Sequence, residues 1–298
     1  MKKLLASAFA LMAVTFSYAQ SNNDVTQQYG NLNNANVDQH GRQNDNSIYQ
    51  QGNRNDAQVS QFGQLNANMT TSIGNDNSDV VYQSGRQNSN YALQVGTGNA
   101  AETEQYGKFN YVSQVQFGAD NSVYALQCGE RNVSLQTQYG EDNQAESIQY
   151  GNDNASTQAQ AGDNNYAGAG QNGAGNSSTQ SQTGNNNEAL ALQTGYENTI
   201  MQTQIGNGNW TWAEQIGDRN SIDQNQNGNR NVAYDYQDGC DNDIIVKQIG
   251  NNQSHVGIQI GDNNSQNILQ ESGNANGGAC CTPPMPEPRC PQNSVGGC

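Results

Sequence analysis

Histidine and basic residues are scarce in this 298-residue chain, and their scarcity argues against several classes of function. His40 and His255 are the only histidines, so a catalytic group that needs a histidine beside a second side chain is not expected to assemble. The 11 basic residues stand against 27 acidic ones, a formal net charge of −16 that makes nucleic acid and anionic lipid poor partners. The sequence therefore predicts no enzyme, no cofactor, no metal site and no nucleic-acid partner.

Long apolar runs are also missing, with one short exception at the start of the chain. Residues 1–20 read MKKLLASAFALMAVTFSYAQ, in which two lysines precede an apolar run that ends in Ser-x-Ala. The run is shorter than a membrane-spanning helix needs, and its pattern is typical of a secretory signal peptide cleaved between Ala19 and Gln20. We therefore expect residues 1–19 to be a signal peptide and the remaining chain to be exported.

Proline occurs only near the other end, where all five prolines lie in the segment CCTPPMPEPRCPQNSVGGC. Because proline cannot join a central strand, residues 271–298 are predicted to be a separate Cys/Pro-rich tail. In an exported chain its cysteines are disulfide candidates, either within a small cap or between molecules, and zinc is a weaker alternative. These candidates are Cys280, Cys281, Cys290 and Cys298.

The chain between these two ends follows an eleven-residue period. Glycine recurs at every eleventh position from residue 30 to residue 261. Two residues before each glycine stands a glutamine, with Ser72 as the one exception, and three residues after it stands an asparagine, with Gln253 as the one exception. The unit N-x-x-x-x-x-Q-x-G-x-x therefore repeats 23 times without an insertion, which indicates a repeat architecture although only 33% of residues are hydrophobic.

Each unit is predicted to be one strand and one turn. A right-handed coiled coil can also have an eleven-residue period, but asparagine and glycine are poor helix formers. The seven residues from asparagine to glutamine match a usual strand length, and the glycine with its next two residues suits a tight turn with positive φ. Because side chains alternate along a strand, the asparagine, the second and fourth residues after it and the glutamine share one face.

That shared face repeats every 22 residues. The second residue after the asparagine is often alanine in alternate units and never alanine in the intervening ones. The fourth residue is often glutamine in those intervening units and small in the others, so small side chains of one sheet would face long ones of the other. The sequence therefore predicts an all-β fold, a flat two-sheet β-solenoid of about eleven 22-residue rungs over residues 20–270.

Identical amides at equivalent positions are expected to stack along the solenoid axis and to bond one another, which would satisfy polar groups in the core. Over such a stack, Cys128 and Cys240 would be about five rungs or ~24 Å apart, too far to bridge each other. The candidate core-ladder residues are Gln114, Gln136, Gln158, Gln180, Gln202, Gln224, Asn132, Asn154 and Asn176.

A candidate contact patch is predicted on the outside of one sheet near the C-terminus. Positions at odd offsets from the repeat asparagine point outward, and in four adjacent rungs several of them are large and apolar or aromatic. Exposed apolar patches mark contact sites, whereas cross-strand pairing that helps register is the structural alternative. The patch consists of Leu190, Trp210, Trp212, Tyr234, Tyr236, Val256 and Ile258.

The pattern N-x-A-x-x-x-Q-x-G, present as NNANVDQHG (33–41) and NEALALQTG (187–195), resembles the curlin repeat of curli fibre subunits. The resemblance covers residues 22–270. It implies a subunit secreted through an outer-membrane pore of a Gram-negative bacterium, which stacks end to end with its own copies. It also implies a nucleator partner and extracellular amyloid fibres of the biofilm matrix or cell surface. The alternatives are a non-polymerising β-solenoid adhesin and a fibre nucleator or cap.

Overall fold

The computed structural model of the chain describes residues 21–271. Within this range the chain forms 23 β-strands and no helix, arranged as two parallel sheets of 12 and 11 strands. The structure confirms the predicted all-β, two-sheet solenoid. The predicted signal peptide and, apart from Glu271, the predicted tail lie outside the described residues.

The strands alternate between the two sheets along the chain. The 12-stranded sheet consists of β1 (Asn23–Asn31), β3 (Asp45–Asn53), β5 (Ala67–Asn75), β7 (Ser89–Thr97), β9 (Tyr111–Ala119), β11 (Val133–Glu141), β13 (Ala155–Ala161), β15 (Ser177–Thr183), β17 (Thr199–Ile205), β19 (Ser221–Asn227), β21 (Asp243–Ile249) and β23 (Ser265–Glu271). The 11-stranded sheet consists of β2 (Asn34–Arg42), β4 (Asp56–Gln64), β6 (Ser78–Arg86), β8 (Ala100–Lys108), β10 (Ser122–Glu130), β12 (Gln144–Asn152), β14 (Tyr166–Ala174), β16 (Glu188–Tyr196), β18 (Trp210–Asp218), β20 (Val232–Cys240) and β22 (Ser254–Ile260).

Each strand pairs in parallel with the strand 22 residues further on, residue for residue. In β9 and β11, for example, Gln114 lies opposite Gln136 and Gly118 opposite Gly140. Because successive strands belong to different sheets, 22 residues make one rung of two strands, and every repeat position lies next to its own copy one rung away. This register is the one that the 22-residue period predicts.

The strand boundaries differ from the predicted asparagine-to-glutamine segment. Strands begin one residue after the repeat asparagine, and 16 of the 23 strands in the described range run for nine residues through the residue after the glycine. The glycine stays in the ladder because its backbone remains extended at φ values of 106–139°, in a region open only to glycine. The asparagine instead belongs to the turn.

The turn depends on two residues with positive φ. At Gly140 φ is +121°, and a Cβ there would overlap the carbonyl oxygen of Gly162 one rung away. Two residues on, Asp142 takes a left-handed conformation with φ 55°. This confirms the predicted tight turn and explains why the repeat glycine has no substitute, whereas the left-handed position accepts Asp, Asn, Arg or Leu.

The core lies between the sheets and is largely polar. In the unit of β11 the inward residues Asn132, Ser134, Gln136 and Gln138 are all fully buried. Buried apolar side chains form three clusters: one around Ile48 and Val59, a small one of Ala101, Val123 and Ala145, and a larger one from Ala191 to Val246. The largest cluster is therefore near the C-terminal end, and the middle rungs combine a small apolar cluster with hydrogen-bonded amides.

Candidate functional site: core ladders and the outer strip

The repeat asparagines form a continuous ladder along each turn edge. Asn154 is typical: its backbone N and its Nδ2 both donate to Oδ1 of Asn132 at 3.1 Å, and Nδ2 also donates to the carbonyl oxygen of Gly173 at 3.0 Å. Asn176 bonds Asn154 in the same way. Nδ2 of Asn154 also lies 3.3 Å from the carbonyl oxygen of Tyr150 in its own turn. One asparagine side chain thus closes its own turn and joins the rungs on both sides, which explains why asparagine recurs at this position.

The repeat glutamines form a second ladder with the opposite donor direction. Gln160 Nε2 donates to Oε1 of Gln182, one rung toward the C-terminus, at 2.9 Å. Its second hydrogen goes to the carbonyl oxygen of Gln144 in the other sheet, also at 2.9 Å. Each glutamine therefore links two rungs and two sheets, and the fully buried amide has both donor hydrogens satisfied.

A third ladder contains the glutamines proposed from the sequence. Consecutive members bond from Nε2 to Oε1 at 2.8–3.0 Å, and all six are at most 1% exposed. They are Gln114, Gln136, Gln158, Gln180, Gln202 and Gln224. Asn132, Asn154 and Asn176 lie in the asparagine ladder described above.

Two groups that sequence reasoning missed end this third ladder. At its N-terminal end Thr103 Oγ1 donates to Gln114 Oε1 at 3.0 Å. At its C-terminal end Gln224 Nε2 donates to Oδ2 of the buried Asp235 at 2.7 Å, and Oδ1 of Asp235 lies 3.0 Å from Nε2 of His255. The sequence does contain a signal for these two groups. Thr103 in β8 and Asp235 in β20 are polar residues at the fourth position after the repeat asparagine, which is otherwise often small in these units. The buried Asp235–His255 pair fills the space left by Gly257, because a Cβ at Gly257 would overlap Asp235 Oδ1.

A second buried carboxyl, Asp79, lies in the N-terminal half of the core. It is fully buried, and Thr70 Oγ1 donates to its Oδ2 at 2.5 Å, while within the described residues Oδ1 has no hydrogen-bond partner. Desolvation by burial raises the pKa of Asp79 to about 7, and the hydrogen bond from Thr70 opposes that rise. Sequence reasoning missed Asp79 because it stands at the second position after the repeat asparagine, which is often alanine in these alternate units.

The predicted contact patch lies on the outer face of β16, β18, β20 and β22, but its centre is covered. Trp212 is only 7% exposed because Trp210 and Tyr234 pack on either side, with ring centroids 6.1 Å and 6.2 Å away. Trp212 therefore supports the patch and offers little surface of its own, which corrects the expectation of an exposed tryptophan. The accessible part is at the C-terminal end, where Val256 is 51% and Ile258 61% exposed.

The other members of the patch are partly covered. Leu190, Trp210, Tyr234 and Tyr236 have intermediate exposure. Glu214 lies among them on the same face, beside Tyr236 in the adjacent strand, and burial raises its pKa above the ordinary value. The patch is thus a packed aromatic surface with one carboxyl group, open to contact mainly on its C-terminal side.

Turns on both edges carry ion pairs that follow the 22-residue rung. Asp76, Asp153 and Asp241 each accept two hydrogen bonds from the arginine one rung earlier, with N–O distances of 2.6–2.8 Å. The guanidinium group in each pair holds the pKa of its aspartate below the usual value. The pairs are solvent-exposed, so their main effect is on register, because a slipped rung separates them.

The predicted disulfide residues of the tail lie outside the described residues. Cys128 and Cys240 belong to β10 and β20, which four strands separate in the same sheet, and Cys240 is a free thiol, so these two cysteines do not bridge each other. Between residues 21 and 271 no group of three or more His, Cys, Asp or Glu side chains could hold a metal ion. The same stretch contains no helix long and apolar enough to cross a membrane.

The fold and the ladders define a class: a β-solenoid repeat protein whose polar core is bonded rung to rung through identical amides. Residues 217–250, from the glycine that follows Gln215 to the glycine that follows Gln248, match the family model of the curlin associated repeat. This match identifies the curlin associated repeat in residues 217–250, in agreement with the resemblance drawn from the sequence. No curated protein matches the chain.

Proposed function

We propose that this chain is a curli-type structural subunit that polymerises end to end, outside the cell, into cross-β fibres. The observation that carries the proposal is the state of the two solenoid ends. In β1 all nine residues are exposed, including the inward-facing Asp24 and Gln28, whereas the equivalent Asn46 and Gln50 of β3 are fully buried. β3 differs from β1 in having a neighbouring strand on both sides, so a strand added to β1 would bury the inward-facing side chains of β1 in the same way.

The ladders make the two ends complementary. Gln28 donates to Gln50 at 2.7 Å, and Gln248 donates to Gln270 at 2.8 Å, so the glutamine ladder presents an acceptor at the N-terminal end and a donor at the C-terminal end. When the N-terminal end of one copy binds the C-terminal end of the next, every added copy leaves a free end for another. Such head-to-tail contacts along a straight rod produce an open filament. Unpaired strand edges favour the same outcome, since their backbone groups need partners.

We further propose that the chain is exported and acts as an extracellular, non-catalytic component of a cell-surface or biofilm fibre. The curlin repeat match at residues 217–250 and the solenoid fold support this role. An outer-membrane pore and a nucleator are the partners that the family resemblance suggests. The exposed end of the outer patch, at Val256 and Ile258, is proposed as a site of contact between fibres or with an accessory partner.

A matched pair of substitutions in β1 tests polymerisation. Gln28 faces inward and Gln27 outward, and both are exposed in the isolated chain. Lysine at position 28 is therefore tolerated by the monomer but becomes an unpaired buried charge once another copy stacks on β1, at a cost of several kcal/mol, roughly the value for an uncompensated buried ion.

We expect the Gln28→Lys variant of the purified mature chain to stay folded and to polymerise far more slowly than the wild type, as followed by sedimentation and thioflavin fluorescence. Gln27→Lys is expected to polymerise at nearly the wild-type rate. Equal rates for the two variants, or a wild-type chain that stays monomeric, would reject end-to-end growth and favour a monomeric adhesin or a cap.

A further inference from the structure

The number of strands in the described solenoid is odd, and this fixes how a second copy can continue it. β22 is the last strand of one sheet and β23 the last strand of the other, so the 12-stranded sheet extends one strand further. The next open position along the solenoid path is therefore on β22. A copy that keeps its own sheet assignment would place β1 on β23 and leave one strand position empty above β22.

We propose that successive copies join with a half-turn about the fibre axis, so that the two sheets exchange at every junction. β1 of the incoming copy then pairs with β22, and its β2 pairs with β23. Consecutive strands run in opposite directions across the two sheets, so a half-turn keeps the pairing parallel. The inference rests on the proposed end-to-end assembly and specifies the surface that each copy presents to the next.

An orphaned acceptor at the C-terminal end supports this junction. Within the chain, each repeat asparagine offers its Oδ1 to the backbone N and Nδ2 of the residue 22 positions later, as Asn242 does to Asn264 at 3.0 Å and 2.9 Å. Gln253 holds the asparagine position of the β22 unit, and its Oε1 is buried with no hydrogen-bond partner among the described residues. In the half-turn junction the incoming copy's Asn22 brings both missing donors to this atom.

The inward residues also match in this register. The incoming Asp24 lies opposite His255, so an acidic group meets an imidazole, and the incoming Val37 lies opposite Ile268, which packs on the C-terminal apolar cluster. The incoming Thr26 lies opposite Gly257, which has no side chain to oppose it. In the sheet-preserving register Asp24 would lie opposite Gln266 and Thr26 opposite Ile268, so the Thr26 hydroxyl would face an apolar side chain.

Residues on the outer face of the junction also match in the half-turn register. Val256, 51% exposed, lies opposite the incoming Val25, 43% exposed, and the exposed Ile260 lies opposite the exposed Tyr29. These contacts cover apolar surface that the single copy leaves open.

On the second sheet two polar pairs complete the match. The incoming Asn36 lies opposite Asn267, an amide pair, and the incoming His40 lies opposite Glu271, whose carboxylate can accept a hydrogen bond from the imidazole. In the sheet-preserving register Val25 would instead lie opposite Asn267. The cross-junction pairs on both faces therefore favour the half-turn.

Disulfide trapping distinguishes the two registers in the full-length mature chain. Directly opposed residues on neighbouring strands are about 4.8 Å apart, which is within the Cα–Cα range of a disulfide. The double variant Val25→Cys/Val256→Cys is expected to form disulfide-linked multimers when fibres are oxidised. The matched control Val25→Cys/Asn267→Cys, which shares one substitution, is expected to show no link between its two introduced thiols. Mass spectrometry of linked peptides separates these links from those of native cysteines.

A link in the control pair, or fibres with neither link, would overturn the half-turn while leaving end-to-end assembly intact. Absence of fibres from the unsubstituted chain would overturn both. Electron cryomicroscopy of unsubstituted fibres provides the second measurement. One copy advances the fibre by 23 half-rungs, or about 55 Å at ~4.8 Å per rung. The half-turn predicts that each such step along the fibre axis exchanges the two sheets. A map in which each sheet continues into the same sheet of the next copy would overturn the half-turn.

Discussion

At the scale of single residues, this protein solves the problem of a polar core by placing each amide next to its own copy. Gln158 accepts from Gln136 and donates to Gln180, both at 2.9 Å, and its second hydrogen is close to two carbonyl oxygens of the other sheet. A buried amide with all donors used is as acceptable as an apolar side chain. The ladder is therefore intolerant of residues that cannot both donate and accept.

The first prediction tests this intolerance. Gln158→Lys places a charge with three donors and no acceptor between two glutamines, and should lower the free energy of unfolding by about 3–5 kcal/mol, the range for an uncompensated buried charge. Thr157→Lys, on the outward side of the same strand, is the control and should change stability by about 0.5 kcal/mol or less. Urea unfolding of the two variants measures the difference, and equal midpoints would contradict a bonded ladder.

The second prediction concerns Asp79, the buried carboxyl whose pKa is raised from 3.8 to about 7. A raised folded-state pKa means that the folded chain binds the proton more tightly than the unfolded chain. Stability should then fall as pH rises from about 4 to about 7, by up to ~4 kcal/mol at 1.36 kcal/mol per pKa unit. Asp79→Asn should remove this dependence and stabilise the chain at pH 8.

Unfolding of wild type and variant at pH 5 and pH 8 checks the second prediction. The control is Asp120→Asn, in an exposed turn, which should leave the slope unchanged. A wild-type chain that gains stability between pH 5 and pH 8, with Asp79→Asn following the same curve, would show that Asp79 is not the group responsible.

At the scale of strands and turns, the repeat glycine and the left-handed residue two places later have different tolerances. Gly206 has φ +119°, and a Cβ would overlap the carbonyl oxygen of Gly228. Gly208, in the same turn, has φ +66°, and the nearest atom to its Cβ would be Arg230 Cγ at 3.6 Å, an ordinary contact. The two glycines therefore form a matched pair within one turn.

The third prediction uses that pair. Gly206→Asn should destabilise the chain by at least about 1–3 kcal/mol from backbone strain alone, whereas Gly208→Asn should be neutral or slightly stabilising because asparagine accepts the left-handed region. Thermal unfolding compares them. Similar losses in both variants would mean that the turn is not limited by the close approach of glycine backbones.

The fourth prediction separates support from contact in the outer patch. Trp212 is packed between Trp210 and Tyr234, so Trp212→Ala should cost about 3–5 kcal/mol, as buried tryptophan truncations do. Ile258 is 61% exposed, so Ile258→Ser should leave unfolding almost unchanged and reduce bundling of fibres seen by electron microscopy. Unchanged bundling in a stable Ile258→Ser variant would remove the patch from lateral association.

Sequence alone was enough for the period, the two sheets, the inward positions and the glutamine ladder, because each of these is repeated in every rung. It was not enough for single departures from the repeat. The repeat pattern predicts that the Trp212 side chain points outward. It does not predict that this side chain is buried, because the burial comes from the large neighbouring rings of Trp210 and Tyr234. Asp79 and the Asp235–His255 pair likewise depend on which side chains lie opposite.

At the scale of the whole molecule, the described solenoid is a rod of about 55 Å, by the ~4.8 Å spacing of neighbouring strands, and its repeat asparagine and glutamine ladders run from rung to rung. The glutamine ladder has opposite donor polarity at the two ends, so the hydrogen bonds that join rungs within one copy can also join one copy to the next. Stability of the single rod and stability of a polymer thus depend on the same hydrogen bonds.

X-ray diffraction from aligned fibres of the purified mature chain tests the central claim most directly. The account predicts spontaneous fibres with a meridional reflection near ~4.8 Å and an equatorial one near ~10 Å, the spacings between strands and between sheets. A chain that stays a folded soluble monomer on prolonged incubation, or fibres without the meridional reflection, would contradict it.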